Sequence, residues 1–211
     1  MISVFFYFFW GLLLGTQPII RQTQHSEDRS CIDVLLYIGY NNEYKKEVSE
    51  KMNIITNAKP NDKAEILALY KTMLYGPADW NEYYPSEDTI DFDLSRNALY
   101  VMKNDAEQII AAISVDKEDD VEKLECWNRE LMPAAELSRV CVRKDMQNRG
   151  IAKQMMRYVF EILKKEGKKS VHILVRAGHK AALSSYSAIG FHIVGECHLY
   201  DKDFICMEIE L

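Results

Sequence analysis

The stretch VCVRKDMQNRGIAKQMM, residues 140–156, changes its period in the middle. Val140 and Val142 alternate with their neighbours as in a strand, whereas from Ile151 onward apolar residues recur every three to four positions, as on a helix. The joint, Gln147-Asn148-Arg149-Gly150, has one glycine and no proline. A helix start leaves its first N–H groups without intrahelical partners and carries partial positive charge. When a strand runs straight into such a start and Gly150 lets a ligand reach the backbone, those groups form a nest for a phosphate or pyrophosphate, and Arg149 can add a charge. The plainer reading, a tight strand-to-helix turn, stays open on these residues alone. Neither the dinucleotide fingerprint G-x-G-x-x-G nor the nucleotide loop G-x-x-x-x-G-K-[ST] is present in the segment.

Working outward, the helix after the joint spans Ile151 to about Glu166. Ile151, Met155, Val159 and Ile162 form one apolar line, and Ala152, Met156, Phe160 and Leu163 form the line beside it. Lys164 and Lys165 suit its negative end, and Gly167 closes it. SVHILVR (170–176) reads as a buried strand reached through a helix, and therefore parallel to ELSRVCVR (136–143). HKAALSSYSAIG (179–190) is a second helix closed by Gly190, and FHIVGECHLY with DFICMEIEL makes a final antiparallel pair. Toward the N-terminus, NIIT (53–56) is a short strand, and Asn61 or Asp62 caps a helix whose expected apolar line is Ala64, Leu67, Tyr70 and Leu74. The aromatic and acidic segment 78–97 is expected to form a short irregular helix pair. ALYVMKN and QIIAAISVD form a hairpin turning at Asn104-Asp105. The class is α/β or α+β on a mixed sheet.

The chain has 211 residues, 48% apolar and 27% charged, with a net charge of −6 and a pI of about 5.5. Such a chain carries a real core, and its acidity argues against a grip on nucleic acid. Five scattered cysteines (Cys31, Cys126, Cys141, Cys197, Cys206) show no C-x-x-C pair and no ligand spacing, so neither a disulfide framework nor a metal site is expected. They read as reduced thiols, which suggests a cytoplasmic protein. Residues 1–20 carry no charge and are apolar without a break from Val4 to Gly15. Three readings remain for them: a membrane anchor that would tether the protein, an atypical export signal, or upstream sequence foreign to the natural protein. Met52 stands directly before what reads as a domain start, giving an extension over 1–51, with a short strand at CIDVLLYIGY, and a domain over 52–211. Membrane contact is expected only if residues 1–20 are a genuine anchor.

Gln147-Asn148-Arg149-Gly150-Ile151-Ala152 fits [RQ]-x-x-G-x-[GA], and HKAALSSYSAIGF places Ala182, Tyr186, Gly190 and Phe191 in the register of N-x-x-A-x-x-x-Y-x-x-x-G-F. Together these resemble the GNAT superfamily of acetyl-CoA-dependent N-acetyltransferases, over about Met52 to Leu211. The one departure is His179, where the pattern has Asn. The resemblance implies a mostly antiparallel mixed sheet flanked by helices, with a splayed parallel strand pair at the acetyl-CoA site. It implies acetyl-CoA as co-substrate, no metal, and transfer of acetyl to a primary amine of a small molecule or peptide. A homodimer is left open.

Carried onto this chain, the backbone of Val140, Cys141 and Val142 bonds the pantetheine arm and the thioester oxygen. Gln147, Asn148, Arg149, Gly150, Ile151 and Ala152 cradle the pyrophosphate, with His179 and Ala182 also against the coenzyme. Tyr186 falls where relatives place a donor to the departing thiolate. Glu136 matches the strand position of the base in the histone-acetylating branch, while Leu174 stands where other branches have a glutamate. As plain alternatives, Tyr186 belongs to an apolar helical stripe and Glu136 to a solvated strand entrance. Cys141 lacks a histidine partner and reads as structural. From Asp116 to Glu136 eight acidic residues face three basic ones, with Trp80, Tyr83, Tyr84 and Trp127 nearby in sequence. That surface suits a cationic amine, or is a solvated acidic loop. The rival function is a coenzyme-A-binding regulatory module of the same fold without catalysis.

Overall fold

The computed structural model describes residues 53–211. The apolar run 1–20, Cys31 and the strand expected at CIDVLLYIGY lie outside them. Seven strands form one sheet in the order β1-β2-β3-β4-β5-β7-β6: β1 Ile54–Asn57, β2 Leu99–Lys103, β3 Ile109–Asp116, β4 Ala134–Val142, β5 Ser170–Arg176, β6 His192–Leu199 and β7 Lys202–Glu210. Every neighbouring pair is antiparallel except β4 and β5. The helices are α1 Lys63–Lys71, α2 Glu87–Ser95, the single turn α3 Asp119–Glu122, α4 Ile151–Lys165 and α5 Lys180–Ile189. Among the described residues no helix is long and apolar enough to cross a membrane.

The two apolar lines of α4 bury Ile151, Met155, Met156, Val159, Phe160 and Leu163 against Ala135 and Leu137 of β4 and Val171, Ile173 and Val175 of β5. Tyr186 of α5 and Phe191 join the same cluster. At the C-terminal end of α4, the N–H of Lys168 donates to the carbonyl of Leu163 and that of Gly167 to Lys164, so the orphan carbonyls are satisfied. A second cluster gathers Ile66, Leu69 and Tyr70 of α1, Trp80, and Ile90 of α2 around Leu99, Val101, Ala112 and Cys141. The apolar line of α1 is therefore Ile66, Leu69 and Tyr70, not the expected Ala64, Leu67, Tyr70 and Leu74. The helix is shorter than its pattern, and its buried face is fixed by the sheet it meets. Asp62 begins it, but its carboxylate bonds the Lys59 N–H at 2.8 Å and the Lys103 ammonium at 2.7 Å rather than capping the helix. The segment 78–97 holds one helix, α2, preceded by turns, instead of an irregular pair; Ser86 caps it by accepting from the Thr89 N–H. A third cluster, Val121, Trp127 and Cys206 with Cys126 and Cys197 packed on it, covers the C-terminal strands.

Two irregularities in the sheet shape the site. β4 and β5 pair only over Ala134–Glu136 and Ser170–His172, then diverge for the rest of their length. β4 also carries a bulge: Ala112 faces Cys141 and Ser114 faces Ser138, so three steps on β4 oppose two on β3. Arg139 absorbs the extra residue at φ 50°. Side chains alternate along a strand, and one extra residue reverses that alternation. Ala135 and Leu137 thus point toward α4 before the bulge, as Val140 and Val142 do after it, whereas Cys141 turns to the α1 side.

Candidate active site

The divergence of β4 and β5 opens a cavity of about 780 Å³ through the sheet. Its walls include Leu137 to Val140 from β4 and Ile173 to Arg176 from β5. On one side lie His179, Ala182 and Tyr186; on the other lie Trp80, Tyr84, Asp88, Phe92, Asp116, Glu118, Glu136 and Tyr200. The cavity therefore brings Glu136 and Val140 of β4 to one place with His179, Ala182 and Tyr186 of the second motif. Cys141, Val142 and residues 147–152 do not line it; they follow Val140 along β4 and into the corner before α4.

At that corner Gly150 is the residue before the helix, at φ 75°, and no side chain caps the first turn. A Cβ there would meet nothing within 4 Å, so the glycine is required by its backbone angle rather than by crowding. Asn148 also has a positive φ, 59°, and Gln147 Nε2 donates to the Val142 carbonyl at 3.0 Å, tying the loop to the strand end. Gln147, Asn148, Arg149 and Gly150 are all exposed. The corner thus presents a solvent-facing helix start, the geometry that receives an anion. His179 caps α5, its Nδ1 accepting from the Ala182 N–H at 3.4 Å. Burial holds its imidazole below the ordinary value, which leaves the proton on Nε2 as a donor.

Burial, with Cys141 nearby, pushes the Tyr186 phenol well above its ordinary value, so it stays a donor throughout the physiological range. Burial likewise pushes the Cys141 thiol up to about 12, which suits a core residue and not a nucleophile. Glu136 is raised to about 8, first by burial and then by Asp116, Glu118 and Glu122, against the pull of Arg139. Its Oε2 is buried with no hydrogen-bond partner. A solvated strand-entrance carboxylate would show neither property.

Sequence reasoning missed what holds the far wall. Arg139, 4% exposed, grips Asp93 through two bonds, Nη2 to Oδ1 at 2.9 Å and Nε to Oδ2 at 3.1 Å. Its Nη1 reaches Asp116 Oδ2 at 2.6 Å and donates to the Tyr84 hydroxyl at 3.0 Å. Ser114 donates to Asp93 at 2.7 Å, and Ser138 to Asp116 at 2.9 Å. Among the aromatic residues expected near the acceptor, Trp80 and Tyr84 line the cavity. Tyr83 is exposed elsewhere, and Trp127 is buried against His172, since the acidic loop folds back under β5. The cations at the rim, Arg176 and Lys202, share one carboxylate, Asp79, at 3.7 and 3.0 Å. Asp116 being taken by Arg139, the unmatched acidic groups of the wall are Asp88, Glu118 and Glu136.

Several solved structures share the fold. A ribosomal-protein-alanine N-acetyltransferase from Brucella melitensis is 19% identical, with a TM-score of 0.61 over 75% of this chain and 99% of its own. The yncA protein from Salmonella typhimurium, assigned as an acetyltransferase and solved with its cofactor acetyl-CoA, is 16% identical, with a TM-score of 0.57 over 76% and 94%. The NatC complex bound to Gag peptide and CoA is 15% identical, with a TM-score of 0.58 over 75% and 98%. No curated protein sequence gives a significant match. The model of the acetyltransferase (GNAT) family matches residues 63–191, from the first residue of α1 to the Gly190-Phe191 that closes the second motif. With that match spanning most of the chain, and with the splayed pair, the helix-start corner and the seven-stranded order in place, this chain belongs to the GNAT acetyltransferase family.

Proposed function

We propose that the domain over 52–211 transfers acetyl from acetyl-CoA to a primary amine of a small molecule or peptide, and that the acceptor is cationic. One observation carries this reading: a single cavity runs through the sheet from Tyr186 on the α5 side to an acidic, aromatic wall on the other. The pyrophosphate sits on the N–H groups of the corner at 149–152, held by Gln147, Asn148 and Arg149 around it. The pantetheine arm threads the gap between β4 and β5, bonding the free backbone of Val140, Cys141 and Val142 and passing His179 and Ala182. An ammonium group enters against Glu118 and Glu136, beside the faces of Trp80 and Tyr84.

Glu136 takes the ammonium proton, for which its raised proton affinity is well matched. The amine lone pair attacks the thioester carbonyl, the C–S bond breaks, and the nitrogen's second proton passes to the coenzyme sulfur, giving amide and thiol. Tyr186 donates a hydrogen bond to the departing thiolate. Because a thiol pKa of about 8.5 lies below that of the phenol, hydrogen bonding and not full proton transfer is its contribution.

Incubation of the full chain with acetyl-CoA and a panel of polyamines, aminoglycosides, amino acids and peptides, following free thiol, tests the reading. Thiol release that depends on a cationic amine is expected. Acetyl-CoA binding without release for any amine would show a coenzyme-binding module instead.

A further inference from the structure

A row of titratable side chains crosses the sheet beside the cavity. Glu136 of β4 pairs in register with His172 of β5, and His172 with Glu208 of β7, so all three project from one face. His172 Nε2 lies 2.8 Å from Glu208 Oε1, with both residues 3% exposed or less. Ser170 Oγ lies 3.4 Å from the same oxygen while donating to the Leu131 carbonyl at 3.0 Å, and the Trp127 ring stacks on the imidazole with centroids 4.0 Å apart. A second cavity, about 210 Å³, is lined by both Glu136 and His172 together with Glu122 and Lys168. Glu136 thus borders both cavities, and the histidine beside it borders only the second.

We propose that His172, backed by Glu208, relays protons from Glu136 into the second cavity, as a positioning residue that touches neither substrate. The proposal rests on the acetyl-transfer reading above. Each turnover delivers one ammonium proton to the Glu136 carboxylate, which must lose it before the next. The Glu136 carboxyl, whose Oε2 has no hydrogen-bond partner in the protein, passes the proton to a His172 ring nitrogen through one water. The Glu208 carboxylate balances the imidazolium, and the proton leaves to solvent through the second cavity, away from the acetyl group. The charged groups that face this row from the packed elements are Asp116 on β3, Arg139 on β4, Glu118 and Glu122 at α3, Arg129 after it, and Lys168 before β5. Asp116 is occupied by Arg139, which leaves His172 as the neutral base beside Glu136. Burial holds the imidazole below its ordinary value against the Glu208 bond, so it starts unprotonated and able to accept.

The test uses the full chain with His172→Gln, His172→Ala and Glu208→Gln. At pH 7, H172Q is expected to lower kcat by about tenfold or more, with both KM values within about twofold. The deficit shrinks above pH 9, and added imidazole restores much of the rate of H172A; E208Q shows a smaller loss of the same pH dependence. Full kcat in H172Q at every pH overturns the relay. So does a loss that is uniform in pH and indifferent to imidazole, which would assign His172 to packing on Trp127. Independently of activity, the 15N imidazole titration of His172 is expected to move its midpoint when Glu136 is replaced by Gln. An unmoved midpoint overturns the relay alone, whereas wild-type protein that acetylates no amine overturns the transfer reading and the relay's task with it.

Discussion

Glu136 keeps its proton to about pH 8, against an ordinary 4.5, and this has consequences for both stability and rate. Between those two pH values the folded state binds more protons than the unfolded one. The stability that comes with a neutral buried carboxyl is therefore complete below about pH 4.5 and drains away as pH rises through 8. Glu136→Gln removes that dependence. Its Tm is expected to equal wild type near pH 5 and to exceed it by several degrees at pH 9, since one pKa unit is worth about 1.4 kcal/mol and 1 kcal/mol about 2–4 °C at this size. Thermal melts at the two pH values check it. In turnover the effect runs the other way: wild-type rate climbs with pH toward 8, while E136Q loses the climb and about 100-fold in kcat. Tyr186→Phe keeps the ring and removes the donor, so kcat is expected to fall about tenfold or more with the acetyl-CoA Kd within about twofold. Unchanged turnover would return Tyr186 to the core.

At the scale of elements, the bulge in β4 decides more than any single side chain. It turns Cys141 away from α4 and aims Arg139 at Asp93 and Asp116, so that the acceptor wall is clamped by an almost fully buried ion network. Arg139→Ala leaves the carboxylates of Asp93 and Asp116 to Arg96 alone, at 2.8 and 3.7 Å, and is expected to cost about 3 kcal/mol in denaturant unfolding. Arg139→Ala with Asp93→Asn recovers part of that loss. Gly150→Ala is expected to cost about 1–2 kcal/mol from its left-handed backbone angle alone, because the space for a methyl group is open. The α4 helix was legible because its two apolar lines keep the 3.6-residue period over four turns, and the corner because helix starts have a fixed physics. The bulge was not, because Arg139 takes its positive φ with no glycine or asparagine to announce it. Nor was its clamp: Asp93 lies 46 residues away on another element, beyond any local period. The α1 stripe was misread because Ala64 and Leu67 satisfy helical spacing as well as Ile66 and Leu69 do, and only the sheet chooses between them.

For the molecule as a whole, about three quarters of this chain spans 94–99% of the length of the acetyltransferase structures it resembles. We therefore expect residues 52–211, expressed alone, to keep the Tm and acetyl-CoA Kd of the full chain within about 2 °C and twofold. A product that aggregates or fails to bind would assign residues 1–51 to the fold. The mostly antiparallel sheet and its splayed pair were legible through the two motifs, and Trp80, Tyr84 and the acidic stretch to Glu136 through composition, whereas the assembly of the acceptor side was not. Its wall is assembled from α2, the end of β3, β4 and the β6–β7 turn, and no spacing in the chain records that they meet. Among these contributors Tyr200 stands in the turn at φ 52°, where partial burial, and after it the charges of Glu118 and Glu136, push its phenol up to about 12. In the proposed reaction acetyl passes directly from coenzyme to amine through this cavity. Single-turnover reaction of the full chain with acetyl-labelled acetyl-CoA and a cationic amine measures it: the label is predicted to appear on the amine as thiol is released, with none retained on protein. Label on the protein, label only in free acetate, or bound acetyl-CoA that no amine discharges would contradict the account.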